Sequence, residues 1–94
     1  MRPVCLITGA STGIGAACAR LAAARGYDLL LTYRSDANAA GQVKEACVAA
    51  GAKVEIVQAD VADPAQIEAV FSQLDQSFGR LDGLVNNAGV VDAT

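Results

Sequence analysis

The sequence contains no histidine and only three cysteines. A zinc site draws on about four Cys and His ligands. Cys5, Cys18 and Cys47 are widely spaced, with no Cys-x-x-Cys. A metal site is therefore excluded, and the three cysteines read as reduced thiols buried among apolar neighbours. Positive charge is scarce too, with seven Lys and Arg against ten Asp and Glu and a net charge of −3. These basic residues are scattered, so the clustered positive surface that holds nucleic-acid phosphates is missing. A single nucleotide stays compatible. No apolar run reaches the ~18–20 residues of a membrane span. The opening MRPVCLITG lacks the apolar stretch of a secretory leader. No membrane partner is expected, and the expected location is the cytoplasm. Linkers, low-complexity segments and charge runs are also absent.

What is present is apolar residues, 53% of 94 positions, with a mean hydropathy of +0.35. That is too apolar for disorder and the length suits one small domain. The apolar residues alternate between two patterns. Pro3–Thr8, Asp28–Tyr33, Lys53–Gln58 and Asp82–Asn87 are short, β-branched-rich runs suited to strands buried on both faces. Between them, apolar residues recur at helical spacing. The predicted buried stripes are Ile14, Ala17, Cys18, Leu21 and Ala22 in the first helix, then Val43, Ala46, Cys47 and Ala50 in the second. Ile67, Val70, Phe71, Leu74 and Phe78 form the third. Ser35 or Asp36 caps the second helix, and Asp63 followed by Pro64 starts the third. Gly26, Gly51 and Gly79 stop the three helices. The order βαβαβαβ predicts an α/β fold, a doubly wound parallel sheet with right-handed crossovers.

TGASTGIG, Thr8–Gly15, joins the first strand to the first helix. Gly9 permits a sharp turn off the strand, Gly13 lets backbone approach a phosphate, and Gly15 lets the helix pack closely on the sheet. With Ser11, Thr12 and Ile14 they form a cradle whose N–H groups face a pyrophosphate at the positive end of the helix dipole. The strand before and helix after it support nucleotide binding over an ordinary turn. No Gly-Lys-Ser/Thr is present, which excludes a P-loop NTPase.

Thr-Gly-x-x-x-Gly-x-Gly near the start, followed by Asn-Asn-Ala-Gly after the fourth strand, resembles the paired signature of the classical short-chain dehydrogenases/reductases. Here the pair is Thr8–Gly15 and Asn86–Gly89, and the likeness covers essentially the whole chain. It implies a Rossmann-like fold with strand order 3-2-1-4 and hydride transfer between NAD(P)(H) and a carbonyl or alcohol substrate. It also implies that Asp60 meets the adenine amino group and the Val61 N–H meets the ring. Without the resemblance, Asp60 serves equally well to close a turn. In the Asn-Asn-Ala-Gly run, the resemblance makes Asn86 a structural brace, with Asn87, Ala88 and Gly89 lining the cofactor. Alone, that run would read as a turn at a strand end.

Cofactor choice turns on the end of the second strand, where an acidic residue would hold a ribose 2′-hydroxyl. That place falls on Tyr33 or Arg34, neither of them acidic. The Arg34 guanidinium and Ser35 hydroxyl instead suit a 2′-phosphate. NADP(H) is favoured. The competing reading has Arg34 solvated and Asp36 accepting the ribose, with NAD(H) as the cofactor. The family's proton donors, a Ser and a Tyr-x-x-x-Lys pair, are not found. Tyr27 and Tyr33 are followed four residues on by Leu31 and Ala37, and Lys44 and Lys53 have no matching Tyr. No catalytic residue is assigned. Residues 1–94 are expected to be the N-terminal, cofactor-binding part of one Rossmann domain, cut off after strand four. That leaves strand four an unpaired edge and apolar sheet bare beside the third helix, features that favour association, including with a second copy. The alternative is a catalytically inactive nucleotide-binding module or a truncated remnant.

Overall fold

A computed structural model of the chain describes residues 2–87. Ala88 and Gly89, two of the expected cofactor-lining residues, lie outside the described residues. The elements run β1 (Val4–Thr8), α1 (Gly13–Ala24), β2 (Asp28–Tyr33), α2 (Ala37–Ala49), β3 (Val54–Gln58), α3 (Pro64–Ser77) and β4 (Gly83–Asn86). The four strands form one parallel sheet in the order β3-β2-β1-β4. This is the expected topology. β1, β3 and β4 each begin one residue later than the sequence pattern placed them, and β4 ends at Asn86 rather than Asn87. The Pro3 and Lys53 carbonyls still accept from Asp28 and Leu29.

Side chains alternate across a strand, and the core divides accordingly. Cys5, Ile7, Leu29, Leu31 and Val54 pack with α1 and α2 on one face. Val4, Leu6 and Leu30 pack with Val70 and Leu74 of α3 on the other. Asp36, not Ser35, caps α2, its carboxylate accepting from the Ala39 N–H at 2.9 Å. Asp63 caps α3 by accepting from the Ala65 N–H, with Pro64 in the first turn. Each helix is followed by a glycine in the left-handed region: Gly26, Gly51 and Gly79. L-residues with a Cβ avoid that region, which is why glycine ends these helices.

The helix stripes need correction. In α1 the buried residues are Gly15, Ala16, Ala19 and Ala23, while Ile14, Ala17 and Leu21 are exposed and Cys18 and Ala22 half-buried. The helix lies so close to the sheet that only its small residues fit beneath it. In α2, Ala40, Val43 and Cys47 are buried, and Ala46 and Ala50 are exposed. In α3, Val70 and Leu74 are buried, Ile67 and Phe78 half-buried, and Phe71 exposed. Phe71 is exposed because it lies toward the uncovered part of the sheet. Leu84 shares that face through its register with Leu6 and is 54% exposed. Among the described residues, β4 pairs with β1 alone. Cys5 and Cys47 are buried as expected, whereas Cys18 is only half-buried. Among the described residues, no helix is long and apolar enough to cross a membrane.

Candidate functional site

Parallel strands end together, so Thr8, Tyr33, Gln58 and Asn86 lie along one edge of the sheet. The chain leaves β1 toward α1 on one face and leaves β3 toward α3 on the other. In open α/β sheets, ligands bind beyond the carboxyl ends where strand order reverses. Here that is the β1–β4 boundary.

The glycine-rich turn sits at this place and is tied down on both sides. Gly9, in the left-handed region at φ 63°, donates its N–H to Thr32 Oγ1 at 3.3 Å. The Ala10 N–H donates to the Thr32 carbonyl at 2.9 Å. From the β4 side, the Asn87 side-chain amide donates to the Gly9 carbonyl at 3.1 Å. Thr8 Oγ1 accepts from the Asn87 N–H at 3.0 Å and donates to Asn86 Oδ1 at 3.1 Å. Both asparagine side chains therefore brace the turn.

Gly15 completes this lock. A Cβ added there would collide with the Gly9 carbonyl oxygen and stand 2.9 Å from the Asn87 amide nitrogen. Gly13 is the opposite case, with φ 58° and nothing within 4 Å of where a Cβ would stand. One glycine is demanded by packing inside; the other leaves the backbone open outside. Thr12 precedes α1 in extended conformation without a side-chain cap, whereas Asp36 and Asp63 cap α2 and α3. The first-turn N–H groups of α1 are thus left for another acceptor, at the end where the helix dipole favours an anion. Ser11 is half-buried, and Thr12, Gly13 and Ile14 are exposed beside it.

A cavity of about 330 Å³ opens between the ends of β1 and β4 and helix α3. Thr8, Asn86, Arg34 and Asp60 form its polar rim, and Leu6, Val61, Val70, Phe71 and Leu84 its apolar wall. Arg34 extends from β2 with Nη2 3.9 Å from Asp60 Oδ2. Its backbone carbonyl accepts from Gln58 Nε2 at 2.9 Å. Asp60 Oδ1 accepts from the Ala62 N–H at 3.0 Å, and the Asp60 N–H donates to Gln66 Oε1 at 2.7 Å. Asp36 already caps α2 through its Oδ1.

Arg34, Asp60 and Val61 are thus brought to one cavity. Tyr33, half-buried, and Ser35, exposed, flank Arg34 without lining it. The expected cradle residues, Gly9 and Ser11 through Gly15, gather at the α1 end of the same sheet edge. Sequence reasoning missed Thr32, Gln58 and Gln66. Gln66 was findable, because Asp63-x-x-Gln66 is a capping-box spacing, and its Nε2 donates to Asp63 Oδ2 at 3.2 Å. Gln58 is paired in register with Tyr33, which no local pattern signals. Chemically, the site offers uncapped N–H groups for one anion, a guanidinium for a second, and a half-apolar cavity for a flat ring.

The family model described as short chain dehydrogenase matches residues 3–94. The uncharacterised oxidoreductase YgfF of Escherichia coli K12 is 41% identical over 88 residues, covering 94% of this chain and 36% of that protein. A 3-oxoacyl-[acyl-carrier-protein] reductase of Staphylococcus aureus is 40% identical over 85 residues, covering 90% of this chain and 35% of that protein. A solved short-chain dehydrogenase/reductase variant of Serratia marcescens superposes with a TM-score of 0.89 at 42% identity, over 94% of this chain and 36% of that one. The chain therefore spans about a third of the length of the relatives it matches.

Proposed function

Since the chain belongs to the short-chain dehydrogenase family of oxidoreductases, we propose that it holds NADP(H) for hydride transfer to or from a small carbonyl or alcohol substrate. The observation that carries the cofactor reading is Arg34 at the end of β2, on the rim of the cavity that Asp60 and Val61 also line. A guanidinium there suits a 2′-phosphate, whereas Asp36, the carboxylate nearest it in sequence, already caps α2 through its Oδ1. Ser35 and Tyr33 flank the phosphate.

The remaining residues fit the group. The uncapped start of α1, open at Gly13, takes the pyrophosphate, with Gly9, Ser11, Thr12, Ile14 and Gly15 shaping the turn. Asp60 and the Val61 N–H hold the adenine, and Asn87, Ala88 and Gly89 are assigned to the adenosine ribose, the last two from the sequence resemblance alone. The bound nicotinamide supplies or accepts the hydride, and no residue of this sequence is assigned to the accompanying proton. The carbonyl–alcohol class is the chemistry named by the Staphylococcus aureus relative. The protein works in the cytoplasm, and the exposed apolar side chains Phe71 and Leu84 suit association with a second copy.

Titration of NADPH and NADH by quenching or transfer of nicotinamide fluorescence tests this. NADPH binds more tightly, and Arg34→Gln weakens it about 10–100-fold while sparing NADH, as for hydrogen bonds to charged groups. NADH binding as tightly as NADPH in the unaltered protein would overturn the cofactor reading. A second reading is a nucleotide-binding module without turnover. It gives the same titration with no oxidation of NADPH by any carbonyl.

A further inference from the structure

Asp60 already has partners on both carboxylate oxygens. Oδ1 accepts from the Ala62 N–H, and Oδ2 faces Arg34 Nη2 at 3.9 Å. The pair spans the rim of the cavity described above, with side-chain exposures of 71% for Arg34 and 43% for Asp60. Neither member is anchored through its charge alone. Gln58 holds the Arg34 carbonyl and Gln66 holds the Asp60 N–H, so both backbones are fixed and the two charges are kept within reach of each other.

We propose that Asp60 is a specificity-determining residue that restrains NADP(H) preference, by acting as the counter-charge to Arg34. This rests on the reading of Arg34 as the 2′-phosphate ligand. The carboxylate acts in two ways of the same sign. It draws the guanidinium toward itself, and it repels an incoming phosphate dianion. A cofactor without the 2′-phosphate feels neither effect strongly. The restraint is electrostatic and exposed, so salt weakens it.

The test measures the ratio of NADH to NADPH dissociation constants in the complete gene product, at low and high salt. Asp60→Asn keeps an oxygen for the Ala62 N–H and for the adenine amino group while removing the charge. It raises the NADPH preference about threefold to fivefold at low salt, in the range of an exposed ion pair, and less at high salt. Asp60→Ser, also neutral, moves the ratio in the same direction even if it loosens both cofactors. In an Arg34→Gln background only the direct repulsion remains, so Asp60→Asn changes the ratio less than in the unaltered protein. A ratio that stays put or falls in both neutral variants, while Arg34→Gln still abolishes NADPH preference, overturns this proposal alone. A ratio that Arg34→Gln leaves unchanged overturns the Arg34 reading and this proposal with it.

Discussion

Replacing Gly15 by Ala pits helix propensity against packing. Gly15 lies within α1, so on propensity alone alanine stabilises by roughly 1 kcal/mol. Against that, the new Cβ has no room. The atom it meets is the Gly9 backbone carbonyl oxygen, which belongs to a turn tied to both β2 and β4 and cannot step aside as a flexible side chain would. Overpacking of this kind costs about 1–3 kcal/mol. Relieving the clash means pushing Gly9 away from Asn87, which forfeits a hydrogen bond worth about 1 kcal/mol. The net expectation is destabilisation by about 1–3 kcal/mol. Gly41 is the internal control. It also lies within a helix, α2, and nothing stands within 4 Å of its added Cβ. Gly41→Ala should therefore stabilise by about 0.5–1 kcal/mol. Urea unfolding followed by far-ultraviolet circular dichroism compares the two. If Gly15→Ala proves as stable as Gly41→Ala, the lock between the turn, α1 and Asn87 does not exist as described.

Three further outcomes are expected. Leu30→Ala, at a fully buried position against α3, should cost about 2–5 kcal/mol in the same unfolding assay. Leu84→Ala, at a half-exposed position on the same face, should cost less than about 0.5 kcal/mol, and equal costs would refute the assignment of that core. Arg80 hydrogen-bonds Asp82, and the Val4 N–H donates to the same carboxylate, which together hold its pKa below the ordinary aspartate value. That stabilisation is present above the unfolded pKa of about 3.9 and is lost as pH falls through the lower folded value. Asp82→Asn should therefore flatten the acid limb of a stability–pH profile, and an unchanged limb would count against the pair. Burial pushes the Cys5 and Cys47 thiols up, so iodoacetamide should label half-buried Cys18 first in the native protein. All three cysteines should label in urea, and rapid native labelling of Cys47 would contradict its place on the buried face of α2.

The topology was legible because its signals are local and mutually consistent. Leu29–Leu30–Leu31 can be buried on both faces only inside a sheet. Asp63-Pro64 and the glycines after each helix punctuate the alternation with residues whose backbone preferences are physical. The face of α1 was not legible. Hydrophobic periodicity favours large residues, so Ile14 and Leu21 set the expected stripe. What decides the matter is distance from the sheet, and a helix that touches a backbone carbonyl must turn its smallest residues inward. At the site, Asp60 was marked only by the family resemblance, whereas Gly9–Gly15 and Arg34 stood out because their chemistry is unusual for a turn. Thr32, Gln58 and the bracing amide of Asn87 did not, because their partners are distant in sequence and meet only through the 3-2-1-4 strand order.

That strand order also sets a timetable. The glycine turn is synthesised among the first fifteen residues, yet the groups that brace it lie 78 and 79 positions later. At about 5–20 residues per second, a ribosome needs roughly 4–16 s to deliver them. Through that interval β1 and its turn exist without Asn86 and Asn87, and the Gly9 carbonyl lacks its donor. On the proposed cofactor reading, a nucleotide has no finished cradle to enter until β4 has joined the sheet, so cofactor capture waits for the last strand of this segment rather than the first.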